Sequence, residues 1–391
     1  MEVCHLCSRL GVAAICSFSV ACDGPEAPHT DWAAISARTQ PRTTKPMEPA
    51  TPMTPMAAGA PGISASNTTP RAAAPQPTQT PARSTPSAGT GGSVGQPPPV
   101  TQPIDPVMAQ RYPDAPPELL SHLNDWPLPD YNFDNTRNAA TRVDSSNVSQ
   151  LRESWRFPLG GGFVFGAITA SPLVLGDRIY LQDMQSNVYA LARDTGKELW
   201  RHTAGQITLG PNGVAIGWGK LFAAGSEIDL IALDLETGKV VWTYKPQLTS
   251  SEGIAIQPVA YGGMVYASTM PATMTRGAYT GGAIGRLFAL DAETGAARWS
   301  FDTVDSTDLW GDAATNSGGG AWFSPLIAPD YGLSYWGIGN PAPFPGTQTE
   351  PLGGSRPGPN LYTSSIVAVG LNDGMLSWSS LAAREGSFIE F

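Results

Sequence analysis

The sequence predicts an all-β domain of the β-propeller type, carried behind a long proline-rich leader. Three observations point there. Tryptophans recur at positions 155, 200, 242, 299 and 378, and the last four each close a unit that keeps the form Ala-x-Asp-x-x-Thr-Gly-x-x-x-Trp in full, at 232–242 and 289–299, or in part, at 190–200 and 368–378. The composition, 43 Gly and 37 Pro with only 14% charged residues among 391, favours turns and strands over helices.

Residues 1–22 read as an export signal. The apolar run 10–21 follows Arg9 and is too short to cross a bilayer. It ends in Ser19-Val20-Ala21-Cys22, which resembles a bacterial lipobox. On that reading Cys22 carries lipid and anchors an exported protein at a membrane, facing the periplasm or the cell surface. The alternatives are an ordinary secretory signal or a mis-called start codon.

Residues 23–118 read as a disordered Pro/Thr/Ala-rich linker. Eighteen of the 37 prolines lie between Pro25 and Pro106, among Thr, Ala, Ser and Gln. Such a stretch cannot bury enough apolar surface to offset the entropy of ordering it, so it is expected to act as a semi-extended spacer.

Residues 119–391 are expected to hold the propeller. Within each unit, Leu-Asp ends one strand, Glu-Thr-Gly turns the chain with Gly238 or Gly295 free to take positive φ, and the Trp-bearing segment begins the next strand. Each unit is therefore a hairpin whose small Ala and large Trp can meet neighbouring units. The first Trp intervals, 45 and 42 residues, suit one four-stranded blade, and the longer ones, 57 and 79, require loops inserted into a blade. A β-sandwich would not place one Ala and one Trp per unit at fixed offset.

Several chemistries are excluded early. All four cysteines precede residue 23, and His202 is the one histidine inside the repeats, so zinc sites, haem attachment and a Ser-His-Asp triad find no support. A net charge of -10 with scattered Lys and Arg leaves no basic face for nucleic acid.

The Trp unit is similar to the tryptophan-docking motif of the quinoprotein alcohol dehydrogenases, eight-bladed propellers that use pyrroloquinoline quinone (PQQ). Asp125-Trp-Pro127, Asn135-Thr-Arg137 and Asn147-Val148 resemble the start of that family's domain. Ser317-Gly-Gly-Gly-Ala-Trp322, Gly339-Asn-Pro-Ala-Pro-Phe344 and Arg356-Pro-Gly-Pro-Asn-Leu-Tyr-Thr363 resemble its middle. The likeness covers about residues 124–380 and implies an incomplete propeller of four to five blades.

It also implies PQQ stacked on a Trp, with a Ca2+ ion held by Glu, Asn and Asp. Asn340 stands at the calcium Asn, the alternative being a turn cap before proline. Trp322 stands at the stacking Trp, the alternative being an inter-blade core residue. Thr269 could reach a quinone carboxylate. The family's Glu falls near Ala272, its paired cysteines are replaced by Gly210-Pro-Asn-Gly213, its Arg finds no counterpart near Trp218, and its catalytic Asp has no match after Trp378. No catalytic residue is assigned.

Two functions remain open. One is a PQQ-dependent alcohol or sugar dehydrogenase-like oxidoreductase, inactive as this chain alone and completed by a second polypeptide, with an unidentified electron acceptor. The other is a non-catalytic, lipid-anchored scaffold that binds a protein or glycan.

Overall fold

The computed structural model describes residues 2–4, 106–139, 141–160, 166–208, 210–246, 252–273, 277–278, 281–344 and 346–381. Cys22 and nearly all of the leader lie outside the described residues. Of residues 1–22 only the short strand Glu2–Cys4 is described, paired with Arg156–Pro158.

Four antiparallel sheets of four strands follow one another along the chain. The first holds Leu173–Leu175 (β1), Arg178–Gln182 (β2), Val188–Ala192 (β3) and Glu198–His202 (β4). The second holds Ala215–Gly217 (β5), Lys220–Ser226 (β6), Asp229–Asp234 (β7) and Val240–Tyr244 (β8). The third holds Val259–Tyr261 (β9), Met264–Ser268 (β10), Arg286–Asp291 (β11) and Ala297–Asp302 (β12). The fourth holds Leu326–Ala328 (β13), Leu333–Ile338 (β14), Ser365–Gly370 (β15) and Leu376–Leu381 (β16). Each is an up-and-down meander, as a propeller blade requires.

Burial follows from the stacking of blades. Inner strands are covered on both faces, so β1, β5 and β9 are buried throughout and β7 reads as the unbroken apolar run Leu230-Ile-Ala-Leu233. Outer strands β4 and β8 alternate between exposed and half-buried residues.

The repeat motif works in a specific way. Ala and Trp of one unit sit opposite each other on the third and fourth strands: Ala190 and Trp200, Ala232 and Trp242, Ala289 and Trp299, Ala368 and Trp378. A register shift beside each pair marks a bulge. The indole then reaches the next blade. Trp155, Trp200, Trp242 and Trp299 lie over Gly196, Gly238, Gly295 and Gly374, all at φ between +66° and +73°. Each indole N–H donates to a carbonyl of the same turn, at Arg193 (2.7 Å), Leu235 (3.2 Å), Ala292 (3.1 Å) and Leu371 (2.8 Å).

The glycine is thus needed twice, for its positive φ and because a Cβ would meet the ring. The motif's Asp and Thr are less general. Asp234 accepts from Thr237 and Asp291 from Thr294, whereas the corresponding first position is Ala192 in one unit and Gly370 in another.

Two further features position the blades. Gln257, buried just before β9, donates to Ser171 O and Val214 O (both 3.0 Å) and accepts from Ser171 N (3.3 Å), while its own carbonyl accepts from Ser324 Oγ (2.7 Å). These partners precede the inner strands of the other three blades, so one side chain and its backbone tie all four inner strands together.

The second feature corrects the linker boundary. The fold begins at α1 (Pro106–Arg111) and α2 (Pro117–Leu120), inside the stretch assigned to a linker ending at 118. Tyr112, Ala115, Leu119 and Leu120 are buried, and Tyr112 and Phe133 pack on Tyr261. The strap caps blade turns: Glu118 accepts from Gly219 N, and Asp125 accepts from Gly176 N while pairing with Arg193. Proline richness hid it, because Pro116 and Pro117 here begin a helix.

Candidate cofactor site

Within a blade, the turns joining first to second and third to fourth strands leave at one end. Second-to-third loops and inter-blade connections leave at the other, and that end carries the residues singled out in the sequence. Ser317–Gly318 pairs antiparallel with Pro341–Ala342. The ladder continues through Gly319 N to Asn340 O (3.3 Å) and Gly339 N to Gly320 O (2.8 Å). Gly318 (φ +140°) and Gly319 (φ +77°) allow this close approach.

Trp322 and Asn340 are thereby brought side by side. A Cβ on Gly339 would stand 3.1 Å from Trp322 Nε1, so the indole overlies the backbone next to Asn340. The half-buried ring also meets Ala255 and Met270, and a Cβ on Gly210 would come 3.0 Å from its Cζ3. Gly210, in the segment Gly210-Pro-Asn-Gly213, makes room for the indole. Ser268 Oγ donates to Ala321 O (2.7 Å), holding the Trp-bearing connection to β10.

The other candidates fall differently. Thr269 is fully buried; its N–H donates to Arg286 O (2.8 Å) and its Oγ1 accepts from Arg286 N (3.0 Å), so it serves the sheet and offers no surface to a ligand. Asn340 Nδ2 donates to Pro341 O (2.9 Å), a bond that leaves its carbonyl oxygen, the atom a cation would take, outside it. Ala272 lies in the short strand Ala272–Thr273, paired with Gly277–Ala278.

Two charged residues near this end were not assigned a role in the sequence. Glu252 is 5% exposed, and its Oε1 accepts from Ile284 N (3.0 Å). The adjacent Gly253 pairs with Met270, which touches Trp322. Arg356, also 5% exposed, donates to Asn360 Oδ1 (3.0 Å) and Pro343 O (3.2 Å), and burial lowers its pKa. Their signal in the sequence was only that each is a lone charge in an uncharged stretch.

The donor set does not suit calcium, which takes six to eight oxygens with carboxylates supplying most of the charge. Among the described residues no three of His, Cys, Asp and Glu come together. Asn340 offers one neutral oxygen, and Glu252 already bonds a backbone amide. The platform suits a flat aromatic ligand better than it suits a hard cation.

Two family models match the chain. One, described as the β-propeller domain of glucose/ethanol/alcohol dehydrogenases, covers residues 126–216, and another, described as outer membrane protein assembly factor BamB, covers 184–321. Among curated proteins the chain is similar to the quinoprotein alcohol dehydrogenase PedH of Pseudomonas putida, 29% identical over 60% of this chain and 42% of that protein. It is also similar to quinohemoprotein alcohol dehydrogenase ADH IIB of Pseudomonas putida, 30% identical over 61% and 36%. The solved quinohemoprotein alcohol dehydrogenase from Comamonas testosteroni superposes with a TM-score of 0.56 at 25% identity, over 65% of this chain and 40% of that one. The chain thus spans less than half the length of these relatives.

Proposed function

Because the propeller of this chain belongs to the quinoprotein alcohol dehydrogenase-like β-propeller family, we propose that it serves that oxidoreductase class by offering a planar quinone a stacking surface on Trp322 beside Asn340, without forming a complete dehydrogenase centre on its own. The supporting observation is the ladder of 317–320 with 339–342, which sets both residues next to each other. PQQ, when bound, supplies the hydride acceptor that no side chain can. The chain's own part is to orient and shield: Trp322 gives an aromatic face, and the glycines around it admit a flat ring.

The two buried charges near the platform are already engaged in part, and Arg356 Nε is buried without a partner among the described residues. Glu252 is bonded to the Ile284 amide, and Arg356 to Asn360 and Pro343. An unpaired anion in such a pocket carries a desolvation penalty. On this reading a second polypeptide would supply the groups that complete the site, and the electron acceptor would be external. The protein would work outside the cytoplasmic membrane, held by lipid on Cys22. A non-catalytic scaffold is the second reading, favoured by the scatter of acids.

Dye-linked oxidation of primary alcohols by the full chain, with added PQQ and calcium, should stay at background, while equilibrium dialysis should show weak PQQ retention that is lost in Trp322→Ala. Turnover by the chain alone would refute the incomplete centre. Equal retention by wild type and variant would favour the scaffold.

A further inference from the structure

The opposite end of the blades, where the hairpin turns gather, holds a cavity of about 640 Å³ between the strap and three blades. Its walls are Pro113, Asp114 and Pro117 from the strap, Trp218 from the β5–β6 turn, Tyr261 and Tyr266 from the third blade, and Pro329, Leu371 and Asn372 from the fourth. We propose that this cavity is a second binding site, for a small organic cation with an apolar body, of the alkylammonium class.

Charge and wall chemistry select that class. The lining contains one carboxylate, Asp114, and no Lys, Arg or His. Arg111 on the strap and Lys220 on β6 are already held by Asp134 and Glu293. Burial raises the Tyr261 hydroxyl's pKa; the Asp114 backbone amide works against that rise, while the negative charges of Asp114 and Asp330 add to it, so both acids project their field into this region. Tyr261 and Tyr266 are buried behind the surface, so the half-buried Trp218 supplies the ring; with the proline walls and the exposed carboxylate of Asp114 it attracts a soft, weakly hydrated cation. A neutral ligand would gain the walls alone, and an anion would be repelled.

Trp218 marks the cavity further. It is the first residue of a two-residue turn, at φ +51°, where the other two-residue turns between first and second strands have Gly176 (φ +61°) and Gly262 (φ +60°). A bulky side chain in this conformation is strained, and here its ring forms part of the cavity wall. The same comparison supplies a clean variant, because glycine is the residue this turn geometry favours.

The test uses choline and its uncharged isostere dimethylbutanol, titrated into the full chain by calorimetry at low salt. Choline should bind, with dimethylbutanol at least about tenfold weaker, Asp114→Asn about tenfold weaker for choline, and Trp218→Gly without measurable binding while its circular dichroism stays that of wild type. Equal affinity for the two probes, unchanged choline affinity in both variants, or no choline binding by wild type at millimolar concentration would each overturn the proposal. Asp114→Asn keeps the test decisive should Trp218→Gly fail to fold, since it alters charge and leaves shape.

Discussion

Replacing Gly238 by Ala should cost far more than replacing Gly219 by Ala, although both glycines have φ +69°. The shared part is the strain of an L-residue in the left-handed region, about 1–2 kcal/mol. At Gly219 an added Cβ meets nothing within 4 Å, so strain is the whole effect. At Gly238 it would lie 2.4 Å from Trp200 Cε3 and 2.8 Å from Cδ2, and the indole must move. Overpacking of this kind costs about 1–3 kcal/mol, and losing the Trp200 Nε1 bond to Leu235 O costs about 1 kcal/mol. Gly238→Ala should therefore be less stable than Gly219→Ala by about 2–4 kcal/mol, read from urea unfolding followed by far-UV circular dichroism. A difference below about 0.5 kcal/mol would show that docking of tryptophan on the next blade's turn does not hold the blades together.

Gln257→Leu should lower stability by about 1–3 kcal/mol, because it strands the buried carbonyl of Val214 and frees the half-buried one of Ser171; a thermal melt within a degree of wild type would remove Gln257 from its linking role. Asp291 is held at about 2 by its hydrogen bond from Thr294, with Arg298 adding to the effect. Its folded pKa lies below the ordinary 3.8, so its contribution is present above about pH 4 and lost as pH falls toward 2. Asp291→Asn should accordingly flatten the stability profile between pH 4 and 2, and parallel profiles would contradict this. Cys22→Ser should release the protein from membrane pellets into the soluble fraction, an outcome that unchanged sedimentation would exclude.

The blade plan was legible in the sequence because its signal is local. Ala, Gly and Trp keep one spacing within each hairpin, and the structure shows why: the Ala gives room opposite the Trp, and the Gly receives the previous blade's indole. The 57- and 79-residue Trp intervals were also readable as insertions, since the extra residues fall in 269–285, 303–325 and 339–364, outside the four-stranded sheets.

The site was only half legible. Asn340 and Trp322 stood out by motif, and the structure sets them together. Thr269 looked available because a strand threonine shows no sign of which partner its hydroxyl takes. Gln257 gave no signal at all, because its four bonds reach segments 86, 43 and 67 residues away. The strap was mistaken for linker because proline content, averaged over a long window, outweighed the short run of buried residues at 112–120.

Titration of the full chain with PQQ, followed by quenching of tryptophan fluorescence in wild type and in Trp322→Phe, tests the central claim most directly. Weak quenching, with a Kd above about 10 µM, insensitive to calcium and reduced in Trp322→Phe, is the expected result for a stacking platform without its ion and charged partners. Sub-micromolar binding that requires calcium would contradict it, and would mean that acids such as Glu252 or Asp308 complete the centre within this chain.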